Sequence, residues 1–178
     1  MCSGWLPGAR RIPSPNWDER PTGTTIDLLV IHGISLPPRV FGGPWIDLLF
    51  QNRLEPDAYP YFRKIAHLRV SSHLLIRRDG ELIQYVDLQH RAWHAGTSSF
   101  QGRECCNDFS IGIELEGGDE IPYTCPQYRR LGETAGEIMR RFASITPERI
   151  VGHSDIAPGR KSDPGPAFDW ERFRDLIR

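Results

Sequence analysis

The sequence predicts an α/β domain with a mixed central β-sheet flanked by helices. Three observations carry this reading. Residues 26 to 31, IDLLVI, form a short apolar run suited to a strand buried on both faces; Asp79-Gly80 separates two β-like runs; and segments with apolar residues at helical spacing lie between strand-like ones. At 178 residues the chain fits one domain, residues 1 to 178. Folding at that size removes roughly 70% of the unfolded chain's surface from water, enough for a core without staples.

Residues 1 to 23 read as an extended lead-in ahead of the core, because Pro13, Pro15 and Pro21 each remove a backbone donor and fix φ. The IDLLVI strand follows, with His32 at its carboxyl end. A long Pro/Gly-rich excursion comes next, with a short helical stretch near Trp45 to Phe50 and irregular chain to about residue 66; loops of this length in a compact domain are usually functional. Residues 72 to 86, SHLLIRRDGELIQYV, are expected to form a hairpin. Residues 109 to 116, FSIGIELE, set Phe109, Ile111, Ile113 and Leu115 on one face and Ser110, Gly112, Glu114 and Glu116 on the other, so two carboxylates share a polar strand face. Thr124 and Gln127 form a capping-box pattern, opening a helix with Tyr128, Leu131, Ala135, Ile138 and Phe142 at helical spacing. Trp170, Phe173 and Leu176 mark a last helix.

Composition excludes several classes. With 22 basic and 23 acidic residues and a formal charge of -1, the chain lacks the one-signed excess that grips phosphate backbones or anionic membranes, so neither nucleic acid nor membrane is an expected partner. No protein partner is evident. The first twenty residues are broken by proline, glycine and charge and supply no apolar run, which makes cytoplasmic residence the expectation. Cys2, Cys105, Cys106 and Cys125 show no C-x-x-C spacing and read as reduced, incidental thiols; Cys2 has no apolar segment before it to support lipid anchoring.

Metal-ligating residue types stand where sites collect in such folds. His32 ends a strand, His153 follows the β-like run Ile150-Val151-Gly152, and Asp163 lies ten residues on in the irregular KSDPGP turn. Two imidazoles and one carboxylate would leave a fourth zinc position open, as in catalytic rather than structural sites. Spacing by itself leaves open whether the three converge at the sheet rim, and the shared strand face leaves open a choice between Glu114 and Glu116.

The segments VIHGISLPP (30 to 38), FGGPWID (41 to 47), AHLRVSSHLLIRRDGELIQYV (66 to 86), RAWHAG (91 to 96), CNDFSIGIELEG (106 to 117) and GHSDIAPGRKSDPGPAFDW (152 to 170) resemble, in order, the AmpD-type N-acetylmuramoyl-L-alanine amidases. The resemblance implies zinc held by His32, His153 and Asp163, a general base at Glu114 and a cation at Lys161, acting on the amide between N-acetylmuramic acid and L-alanine in anhydromuramyl peptides. Zinc in such a site acidifies water to a pKa of about 7. Arg69 is the candidate for the peptide carboxylates and Trp93 for the sugar or stem, while the resemblance adds the backbone near Ala157.

His73 and His94 are expected to be hydrogen-bonded wall or core residues, because a third imidazole would close the coordination sphere; His94→Ala is expected to keep the metal. His67 and His90 read as surface or packing residues. Two positions depart from the family, Gly33 where it has asparagine and Cys105 where it has arginine, both expected to affect how ligand is held. A non-catalytic peptidoglycan-recognition module is the competing reading, opposed by the full set of five site residues. An exported cell-wall lysin is opposed by the composition of the leading residues.

Overall fold

The most apolar run forms an interior strand of the sheet. In the computed structural model, which describes residues 4–178, chain order gives strands β1 (Arg10–Arg11), β2 (Trp17–Asp18) and β3 (Leu28–Ile34), then helix α1 (Trp45–Phe50). Strands β4 (Leu74–Ile76), β5 (Leu82–Gln84), β6 (Arg91–Ala92), β7 (Ser99–Phe100), β8 (Arg103–Glu104) and β9 (Ser110–Glu116) follow, then helix α2 (Cys125–Arg141), strand β10 (Ile150–Gly152) and helices α3 (His153–Ile156) and α4 (Trp170–Leu176). Cys2 lies outside the described residues.

Six strands make one sheet in the order β1-β5-β4-β9-β3-β10. It is mixed: β4 and β5 are antiparallel, and the other neighbours run parallel. In the hairpin Gly80 adopts a φ of +89°, the left-handed conformation that glycine takes without a Cβ penalty. The bond from the Arg77 amide to the Glu81 carbonyl, 2.9 Å, closes the loop.

Both sheet faces are covered. Leu29, Ile31, Ile111, Ile113 and Leu115 pack against Leu131, Ala135 and Ile138 of α2 and Phe173 of α4. On the other face Leu75 and Ile83 meet Ile46, Leu49 and Phe50 of α1, while Leu28 and Val30 meet Ile156 of α3. The expected polar face of β9 is therefore enclosed as well, and all seven of its residues are buried. The capping box forms as the sequence predicts: Thr124 accepts from the Gln127 amide at 3.3 Å and the Gln127 side chain accepts from the Thr124 amide at 3.0 Å.

Two expectations change. The lead-in is extended but belongs to the core: Leu6 is buried, β1 edges the main sheet and β2 pairs with β6. The amides that the prolines leave free are used, with Ile12 donating to the Gln84 carbonyl at 3.0 Å and Ser14 to the Tyr85 carbonyl at 2.9 Å. Leu176 is exposed while Ile177 packs on the core, because a six-residue step drifts off a stripe that repeats every 3.6 residues.

Candidate metal centre

Strand register builds the site. β3 and β9 pair in parallel with His32 opposite Glu114 and Ile34 opposite Glu116. Neighbouring strands lie about 4.8 Å apart, so Glu114 stands beside His32 while Glu116 is two residues further along. β10 pairs with β3 through Gly152 and Ile31, which brings His153, the first residue of α3, to the same rim. Asp163 returns on the turn after α3, held by the Ser154 amide donating to its carbonyl at 3.0 Å.

The three ligand candidates converge. His32 Nδ1 lies 2.9 Å from His153 Nδ1, and Asp163 Oδ2 lies 3.1 Å from His153 Nδ1 and 3.4 Å from His32 Nδ1. These atoms form a group that can hold a metal ion. Burial lowers the pKa of His32 to about 4, so the ring is neutral. The outer ring nitrogen of His153 is 3.2 Å from the Ala95 carbonyl, which can only accept, so Nε2 carries a proton and a neutral ring would turn its Nδ1 lone pair toward the cluster. An imidazole lone pair facing a second imidazole and a carboxylate is repulsive alone and fits a cation.

Glu114 is buried, and its Oε2 has no hydrogen-bond partner. Burial, then the nearby Asp163 charge, raises its pKa well above the ordinary value, with Lys161 opposing. A carboxylate beside the cluster with a free oxygen is placed to accept a proton. Glu116 is occupied elsewhere: it pairs with Arg77 at 3.2 Å and accepts from the Gly42 amide at 2.6 Å, fixing the excursion to the sheet.

A cavity of about 320 Å³ opens on the cluster, with Glu114, His153, Asp163, Lys161 and Trp93 in its wall and Leu36, Tyr61 and Leu68 on its apolar side. A larger groove, about 710 Å³ and lined by residues of α2 and the chain's last residues, does not include the cluster. Lys161 is exposed, its amide donating to the Ala157 carbonyl at 3.0 Å. Arg69 is exposed between Leu68 and Val70, both of which line the cavity. Trp93 is half-buried, with Nε1 donating to Asp18 Oδ1 at 3.0 Å.

Ala157 lines a different cavity, about 550 Å³, together with Cys105. Its amide and carbonyl are both used within the chain, by the His153 carbonyl and the Lys161 amide. At Gly33, a Cβ would come 2.5 Å from the Tyr123 hydroxyl, which donates to the Pro164 carbonyl at 2.9 Å. Tyr123 thus occupies the space beside Gly33 and ties the Asp163 turn. No pattern in the sequence marks this residue. His73 and His94 sit in the expected hydrogen-bonded settings; His67 is exposed, and His90 stacks on Trp17 with ring centroids 4.0 Å apart.

Gly165 shapes the Asp163 turn with a φ of +81°, and a Cβ there would meet Asp119 Cα at 2.2 Å. Gly165→Ala is expected to cost more than about 2 kcal/mol, combining left-handed strain with overpacking against backbone. Thermal unfolding and metal titration should show a lower Tm and weaker metal binding together.

A buried carboxylate stands beside a group of side chains that could hold a metal ion, and both face an open cavity. The chain belongs to the N-acetylmuramoyl-L-alanine amidase family, which it matches over residues 22–166. It is 60% identical to 1,6-anhydro-N-acetylmuramyl-L-alanine amidase AmpD of Escherichia coli, over 98% of this chain and 94% of that one. A crystal structure of a selenomethionine AmpD derivative matches it with a TM-score of 0.97 at 58% identity, covering 100% of this chain and 99% of the other. The amidase AmiD of E. coli, solved with the substrate anhydro-N-acetylmuramic acid-L-Ala-D-γ-Glu-L-Lys, matches with a TM-score of 0.63 at 31% identity, covering 89% of this chain and 60% of that chain.

Proposed function

We propose that the protein is a zinc-dependent amidase that hydrolyses the bond between N-acetylmuramic acid, in its 1,6-anhydro form, and L-alanine of the stem peptide, in cytoplasmic peptidoglycan recycling. The observation that carries this reading is the convergence of His32 Nδ1, His153 Nδ1 and Asp163 Oδ2 beside the unpartnered Glu114 carboxylate. AmpD of E. coli at 60% identity supports the substrate, and the unpaired thiols Cys105, Cys106 and Cys125 suit a reducing compartment.

His32, His153 and Asp163 would hold the zinc, which supplies Lewis acidity toward water and the scissile carbonyl. Glu114 takes the proton of the attacking water as its oxygen bonds to the lactyl carbonyl carbon. Lys161, at the cavity wall, faces the oxyanion that develops, a role in which one donor is worth about 3–4 kcal/mol. Glu114 then passes its proton to the alanine nitrogen as the carbon–nitrogen bond breaks, leaving a free lactyl carboxylate and a free peptide amine. The apolar side of the cavity and Trp93 suit the sugar and lactyl group, and exposed Arg69 can reach a stem carboxylate with a bidentate bond.

Purified protein incubated with anhydromuramyl-tripeptide is expected to release free tripeptide, detected by mass spectrometry. A chelator should stop release and added zinc restore it. Release that continues unchanged after exhaustive metal removal overturns the zinc mechanism, and binding without any release identifies a recognition module instead.

A further inference from the structure

Ser110, Gly112 and Glu114 occupy alternate positions of β9 and so share the face that carries the site. Glu114 lies beside the cluster; the other two have no part in the chemistry above. Ser110 Oγ lies 2.5 Å from the Cys106 carbonyl and 3.1 Å from His94 Nε2. His94 Nδ1 in turn lies 2.8 Å from His32 Nε2. Gly112 makes room: a Cβ there would stand 2.6 Å from His94 Cγ, so any side chain would push the ring off the strand.

The polarity of this chain of bonds is fixed from its far end. A carbonyl only accepts, so the single Ser110 hydroxyl proton points at Cys106. Ser110 Oγ is left to accept, and His94 donates from Nε2–H. A second proton on His94 would be a buried cation without a carboxylate partner in these bonds, which is costly, so Nδ1 keeps its lone pair and accepts from His32 Nε2–H. His32 then presents its own lone pair at Nδ1, the atom turned toward His153 and Asp163.

We propose that Ser110 and His94 are positioning residues that lock His32 in the Nε2–H tautomer through the relay Cys106 C=O, Ser110, His94, His32, and so preset it as a metal ligand. This rests on the zinc reading for its consequence, while the tautomer itself is a property of the metal-free protein. Loss of an outer hydrogen bond to a ligating histidine typically weakens metal binding about 10- to 100-fold. His94 is therefore more than a wall residue, and its removal weakens the metal site rather than abolishing it.

The test pairs imidazole nitrogen-15 NMR with zinc affinity from chelator competition. In the metal-free wild type, His32 and His94 should both show a protonated Nε2 and an unprotonated Nδ1. Ser110→Ala should give a mixed tautomer at His32 and about 10- to 100-fold weaker zinc binding, with Ser110→Thr, which restores the hydroxyl, back within about threefold of wild type. His94→Asn, whose side-chain oxygen can replace Nδ1 as acceptor, should bind zinc more tightly than His94→Leu. The proposal is overturned if wild-type His32 carries its proton on Nδ1, or if Ser110→Ala leaves both the His32 spectrum and the zinc affinity unchanged. A wild type that binds no zinc refutes the metal reading alone, because the NMR comparison of wild type with Ser110→Ala still decides the relay. If Ser110→Ala does not fold, the wild-type spectrum and the His94 pair decide.

Discussion

His153→Ala will lose both bound zinc and activity. In the proposed site the imidazole would supply one of the three ligand atoms found among the described residues, and its ring is oriented by the Ala95 carbonyl at 3.2 Å. With the ring gone, His32 and Asp163 remain, two ligands where a catalytic zinc site needs three. Metal analysis after gentle purification should find about one zinc per chain in the wild type and almost none in the variant, with amide hydrolysis at background. The variant should still fold, because His153 opens a one-turn helix whose core contact is Ile156. A variant that keeps stoichiometric zinc would mean that the ligand set is wrong.

Glu114→Ala is expected to retain zinc and substrate binding but to lose about 10²- to 10⁴-fold in turnover, the usual worth of a general acid/base. The carboxylate has no internal hydrogen bond to lose at Oε2, so truncation removes chemistry before structure. Glu116→Ala should behave in the opposite way. Strand spacing alone makes it look a harmless control, since the residue lies about 7 Å further along the same face. The buried pair with Arg77 and the bond from Gly42 change that expectation: Arg77 keeps Asp47 at 3.1 Å, but the lost partner should still cost about 1–3 kcal/mol of stability. Assayed well below its lowered Tm, Glu116→Ala should turn over near the wild-type rate. Reversed phenotypes, with Glu116→Ala folded but inactive and Glu114→Ala near normal, would assign the base to the other glutamate.

Much of the fold is readable because it is periodic. The IDLLVI run, the Asp79-Gly80 hairpin and the Thr124 capping box each impose a local pattern that no distant contact has to complete, and each forms where its pattern lies. The two-residue strands of the lead-in are invisible in sequence, since two residues show no alternation and their pairing with β5 and β6 is a long-range event. Likewise the helical turn that His153 opens leaves no mark in the sequence, because a single turn is too short to show a helical repeat.

The site divides along the same line. Its residue types, their order and the resemblance to amidases are properties of the chain itself: His32 near a strand end, Glu114 on an alternating strand, and His153 and Asp163 close together in sequence. Register is not. That Glu114 rather than Glu116 faces His32 follows from the pairing of β3 with β9, that Tyr123 fills the space beside Gly33 follows from the closing of the Asp163 turn, and that Ser110 reaches His32 through His94 follows from a ring packed over Gly112. Local sequence fixes which side of a strand a residue takes, because the backbone alternates every residue. Which neighbour it meets there is set by how separate strands and loops align, and only the packed tertiary structure decides that.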